Sequence, residues 1–116
     1  MDSIKIEQTG IKQQVIDEIR ELAKKYNVEQ VLLFGSRSRG DYKRTSDIDL
    51  AVRGGDIDRF ALDVEEETTT LLEYDIVYLD EPMQPELLES IQKEGKIIYE
   101  KIWKFLPGIN EYERHL

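Results

Sequence analysis

Cysteine is absent from the 116 residues, which excludes disulfides and thiolate metal sites. Histidine occurs once, at His115 beside the last residue, leaving neither a His-rich zinc site nor a Ser-His-Asp triad within the chain. No apolar run is long enough to span a membrane, and Met1-Asp2-Ser3-Ile4-Lys5 lacks the apolar core of a signal peptide. A soluble cytoplasmic protein is the expectation. Basic residues are also few, 16 against 25 acidic, for a net charge of -9. That balance argues against a general nucleic-acid binder, which needs a basic face for phosphate backbones. It serves solubility, and it equally suits steering toward a basic protein partner.

What is present suffices for one domain with a real core. Apolar residues make up 40% of the chain and the 35% charged residues are mixed in sign, so disorder is not expected for most of it. Ile11, Val15, Ile16, Ile19, Leu22, Ala23 and Tyr26 recur at helical spacing, with Asn27 placed to end the helix. Val31-Leu32-Leu33-Phe34 reads as a buried strand stopped by Gly35, and Ile48 to Val52 as a second closed by Gly54-Gly55. A helix follows between Asp56 and Leu72, weakened at Thr68-Thr69-Thr70. Tyr74 to Leu79 is a third strand. Pro85 opens a helix that Gly95 caps, and Lys96 to Tyr99 is a last, edge strand. This alternation predicts an α/β fold, a small mixed β-sheet flanked by helices. Residues 1–100 are expected to form it, with 101–116 as a tail.

The chemistry concentrates between Phe34 and Asp49. In Phe34-Gly35-Ser36-Arg37-Ser38-Arg39-Gly40 the glycine lets the backbone turn sharply and approach a ligand. Ser36 offers a hydroxyl, and the residues after it are suited to begin a short helix whose N–H groups face a phosphate. Taken alone, a Gly-Ser pair is an ordinary turn. Asp47 and Asp49 are two apart and so project to one side of a strand, away from Ile48, Leu50 and Val52. Two carboxylates so close repel unless a cation lies between them, and Mg²⁺ suits such oxygen donors. A solvated strand face is the plainer account of a lone Asp-x-Asp. Asp75 interrupts the apolar third strand, where an ionised group is costly unless paired or metal-bound. It joins the pair if the two strands are neighbours; otherwise it protects a sheet edge.

Gly35-Ser36, ten intervening residues, Asp47-x-Asp49 and a later Asp75 together resemble the minimal nucleotidyltransferases of the DNA polymerase β superfamily. Leu33-Phe34-Gly35-Ser36-Arg37-Ser38-Arg39-Gly40-Asp41 and Thr45-Ser46-Asp47-Ile48-Asp49-Leu50-Ala51-Val52 are similar nearly residue for residue, and the likeness covers about Val31 to Tyr99. It implies the polymerase β-like nucleotidyltransferase fold. It also implies the role of small stand-alone members, antitoxins of type VII systems that transfer AMP from ATP to a tyrosine of a HEPN ribonuclease toxin. By position, Gly35 and Ser36 would hold the β- and γ-phosphates. Asp47 and Asp49 would bind two Mg²⁺ ions, and Asp75 would complete the site of the metal that activates the acceptor hydroxyl. Arg37, Arg39 and Lys43 are candidates for screening phosphate charge.

No added acceptor domain is expected in these 116 residues, and no arginine precedes His115 with four to six residues between them, as a HEPN ribonuclease requires: those positions are Gly108, Ile109 and Asn110. The toxin is therefore expected on a separate chain, in a hetero-oligomer. Two other readings stay open: an antitoxin that inhibits by binding alone, and transfer to a small molecule or RNA. Trp103, Phe105 and Leu106 in the tail either dock the partner or pack back on the domain.

Overall fold

Amphipathic spacing and capping residues produce the helices where the sequence predicts them. The computed structural model describes residues 1–102. Helix α1 spans Gln13–Lys25 and buries Val15, Ile16, Ile19 and Ala23. Lys24 and Lys25 in its last turn complement the helix dipole, and Asn27, at φ 59°, ends it in the left-handed conformation. Strand β1 (Gln30–Phe34) is buried throughout and leads into the single-turn helix α2 (Ser36–Arg39). Strand β2 is Ile48–Arg53 and helix α3 is Ile57–Glu67, capped by the Asp56 side chain. Strand β3 is Tyr74–Tyr78, helix α4 is Pro85–Glu94 with proline in its first turn, and strand β4 is Lys96–Glu100.

The sheet order is β3-β2-β1-β4, with β1 antiparallel to β2 and β4, and β2 parallel to β3. Only the β2-α3-β3 unit needs a crossover helix to return the chain in the same direction. Alternation along the strands divides the core into two layers. Val31, Leu33, Ile48, Leu50 and Val52 pack with α1 and α3, while Leu32, Phe34 and Ala51 pack with Ile91 of α4. Strand β4 is the last of the named strands on its side, as expected, but Ser3 forms a parallel bridge to Ile97 along it. The short 3₁₀ turn at Ile6–Gln8 has no signal in the apolar spacing. No helix among the described residues is long and apolar enough to cross a membrane. The tail residues Trp103, Phe105 and Leu106 lie outside the described residues.

Candidate functional site

The carboxylates come together because two parallel strands are in register. Asp49 of β2 is the direct partner of Asp75 on β3. The two therefore share a sheet face with Ala51 and Val77, the α4 side, rather than the face packed on α1 and α3. Asp47 lies just before β2 and is exposed, Asp75 is exposed, and Asp49 is half-buried. Burial, then the charges of Asp75 and Asp47, push the Asp49 carboxyl up to about 6 from its ordinary 3.8. The nearby Arg39 charge opposes this shift and Glu94 adds to it. Three carboxylates thus act on Asp49, and the Arg39 guanidinium offsets them.

The Gly-Ser turn abuts this cluster. β1 ends opposite Asp49, through the pair Phe34↔Asp49. Gly35 then takes φ 77°, ψ -161°, a conformation that residues with a β-carbon avoid. A Cβ at Gly35 would lie 2.2 Å from Asp49 Oδ2. Glycine is thus required twice over, for the backbone angle and for the approach of the carboxylate. Ser36 opens α2, and its carbonyl accepts from the N–H groups of Gly40 (2.8 Å) and Asp41 (3.1 Å) at the other end of the turn. Gly40 closes it in the left-handed conformation.

Arg37 and Arg39 have opposite fates. Two residues apart on a helix means about 200° of rotation, so one side chain points inward and the other outward. Arg37 is 2% exposed. Its Nε donates to the Ser46 carbonyl at 2.9 Å and its Nη1 to that of Thr9 at 2.9 Å. Nη2 donates to the carbonyls of Lys43 (3.3 Å) and Arg44 (3.2 Å), and the guanidinium lies over the Tyr42 ring. The expectation that Arg37 screens phosphate does not match this placement: it ties the loop carrying Asp47 to the body of the protein. The sequence offers no local sign of this, because a loop arginine ordinarily lies in solvent.

Arg39 is exposed and faces the acids. Its Nε donates to Asp41 Oδ2 at 3.1 Å and its Nη1 to Glu94 Oε1 at 3.0 Å. Glu94 Oε1 also accepts from the Gly35 N–H at 3.1 Å. Glu94 enters the site from the end of α4, 59 residues from Gly35 in sequence, and no spacing rule links them. Lys43 is exposed on the loop into β2, and its N–H donates to the Ser46 hydroxyl at 2.8 Å.

Oxygen donors, a strained glycine and one facing arginine fit a hard divalent cation shared with a phosphorylated ligand. Among the described residues no three carboxylates stand close enough to enclose a metal ion by themselves. A cation here therefore needs ligand oxygens to complete its shell. A cleft of about 740 Å³ is separate: Lys12, Val15, Tyr42, Arg44 and Leu72 are among its walls, and Asp47, Asp49 and Asp75 are not.

Against this geometry the comparisons are coherent. Residues 17–102 match the family model described as polymerase beta, nucleotidyltransferase. A chain of a toxin–antitoxin crystal structure with AMP-PNP is similar at 26% identity and TM-score 0.59, over 74% of this chain and 73% of that one. A putative nucleotidyltransferase from Sulfolobus solfataricus is similar at 27% identity and TM-score 0.52, over 91% and 97%. A chain of the MntA–HepT toxin–antitoxin structure, at 20% identity and TM-score 0.55 over 78% and 74%, shares the fold. No curated protein matches the sequence.

Proposed function

The chain belongs to the polymerase β nucleotidyltransferase family, and from that premise we propose that it is a Mg²⁺-dependent protein adenylyltransferase acting as an antitoxin. Its substrate is ATP, and its acceptor is a tyrosine hydroxyl on a HEPN ribonuclease partner, silenced by the added AMP. The observation that carries the reading is the register Asp49↔Asp75 with Gly35 set against Asp49. With it the Gly-Ser turn lies beside a shared carboxylate face. The likeness to a toxin–antitoxin chain crystallised with AMP-PNP supports the nucleotide and the class of partner.

In this reading the tyrosine oxygen attacks the α-phosphorus, pyrophosphate leaves in line, and the hydroxyl proton passes to Asp75 or to solvent. Asp47, Asp49 and Asp75 would hold two Mg²⁺ ions. When bound, the metal lowers the pKa of the acceptor hydroxyl and neutralises charge on the leaving oxygens. Gly35 and Ser36 hold the β- and γ-phosphates, which fixes the α-phosphorus over the carboxylate face. Arg39, joined through Glu94 to the Gly35 turn, supplies positive charge to the leaving group. Asp75, exposed on the end strand β3, is open to a protein acceptor. Arg37 acts at one remove, by holding the loop that presents Asp47.

One observation favours a second reading, an antitoxin that inhibits by binding alone. The Gly35 amide and Arg39 already have a protein acceptor in Glu94, so the turn is satisfied without nucleotide. Incubation with α-labelled ATP, Mg²⁺ and the partner separates the two. Label is expected on the partner, lost by at least about a thousandfold in an Asp47→Ala/Asp49→Ala variant. No label, with full inhibition persisting in that variant, overturns the enzymatic reading and leaves the second.

A further inference from the structure

Glu94 is a charged side chain of the site that lies outside the Gly-Ser and Asp-x-Asp motifs. It is the last residue of α4, and its side chain is 20% exposed. One oxygen, Oε1, takes both the Gly35 N–H and the Arg39 Nη1 donors. The Ser38 hydroxyl donates to the Glu94 main-chain carbonyl, which fastens the end of α4 to α2 and fixes the carboxylate in place. Asp49, Asp47 and Asp75 lie on the same side, so the arrangement sets Glu94 among like charges. Its compensation is the amide and the guanidinium of the turn, the donors a phosphate oxygen would use.

Resting on the nucleotide reading above, we propose that Glu94 is a specificity-determining residue of the turn. Its carboxylate occupies the place of a phosphate oxygen on Gly35 and Arg39 and yields it only to a polyphosphate. The exchange is local. Arg39 keeps Asp41 through Nε while Nη1 changes partner, so the guanidinium stays aimed at the site. A single phosphate anion gains little by displacing an acceptor already held at high effective concentration. A polyphosphate brings more charge and engages several donors at once, so it displaces the carboxylate. The consequence is a turn closed to inorganic phosphate and open to the β- and γ-phosphates of a nucleotide. Departing pyrophosphate is replaced by Glu94 rather than by solvent anions.

The test is calorimetric titration of the full chain and its Glu94→Gln variant, in Mg²⁺ buffer, with tripolyphosphate, inorganic phosphate, ATP and adenosine. The variant is expected to bind tripolyphosphate and ATP about tenfold tighter, to bind inorganic phosphate measurably, and to leave adenosine unchanged. Equal or weaker tripolyphosphate binding in the variant overturns the proposal, while ATP binding by the unaltered chain leaves the nucleotide reading standing. Failure of the unaltered chain to bind either ATP or tripolyphosphate overturns both. Should the variant not fold, NMR on the unaltered chain decides. Tripolyphosphate must move the Gly35 amide and the Glu94 carboxyl resonance together, and a still Glu94 resonance overturns the exchange.

Discussion

At the scale of single residues, Asp49 carries the electrical conflict of the site. Its carboxyl is held at about 6 by burial and by Asp75 and Asp47. A carboxyl raised in the folded state keeps its proton there after the unfolded chain has lost it. Folded protein thus binds more protons between about pH 4 and pH 6, and stability falls as pH rises through that window. The contribution is fully present below the ordinary carboxylate range and gone above about pH 6. Metal-free Asp49→Asn protein is therefore expected to melt a few degrees higher at pH 7.5, about 1 kcal/mol after allowance for solvent screening. At pH 4 the two should coincide, and the variant should have lost nucleotidyl transfer. Thermal melts with chelator at both pH values check this. Arg37 gives the opposite outcome. Replacing it with alanine strands four carbonyls and is expected to cost about 3 kcal/mol in denaturant unfolding, whereas Arg39→Ala should leave stability nearly unchanged and weaken ATP binding. The two arginines are indistinguishable as loop cations in the sequence. Which one points inward depends on α2 making a full turn there.

Among the elements, the site is a product of β2 and β3 in register and of one sharp exit from β1. Asp47-x-Asp49 could be read as a one-sided pair from strand alternation, and Gly35 as a strand stop. Their meeting could not, because parallel pairing of β2 with β3 is set by how α3 packs across the sheet. Ile48, Leu50, Tyr74 and Ile76 all face the α1 and α3 layer, and a one-residue slip of β3 would turn Asp75 into that layer. The turn has equally little tolerance. Gly35→Ala places a methyl 2.2 Å from Asp49 Oδ2 at a φ of 77°. It is expected to cost about 3 kcal/mol or more and to abolish ATP binding in the fraction that folds, measured by urea melts and calorimetry. Helix α4 matters for the same reason. Its Ile91 anchors the second core layer, and Ile91→Ala should cost about 2–4 kcal/mol while loosening Glu94, visible as a change in the Gly35 amide signal.

For the whole molecule, the described fold ends in contacts that a deletion must respect. Lys101 donates its N–H to the Glu29 carbonyl at 2.8 Å and its Nζ to Asn27 Oδ1 at 2.6 Å. Truncation after Ile102 therefore keeps these bonds, whereas truncation after Tyr99 removes them. The shorter chain ending at Ile102 is expected to fold and to retain ATP binding. If Trp103, Phe105 and Leu106 dock the partner, it loses co-purification with it; if they complete this protein's own core, its melting temperature falls instead. Scanning calorimetry and pull-down on one preparation separate these outcomes. The sequence by itself determined the helices and strands, their apolar faces, the glycine turn and the three acids. Each of these rests on local periodicity or on a residue type within a few positions. Tertiary structure alone decided that Asp49 meets Asp75, that Arg37 is buried while Arg39 is not, and that Glu94 reaches Gly35 from 59 residues away. Those contacts follow from strand register and from how helices lie on a sheet, and long-range packing of this kind leaves no mark in local spacing. The Gly-Ser turn and the three acids were legible in the sequence; Glu94, which accepts from the Gly35 N–H, was not.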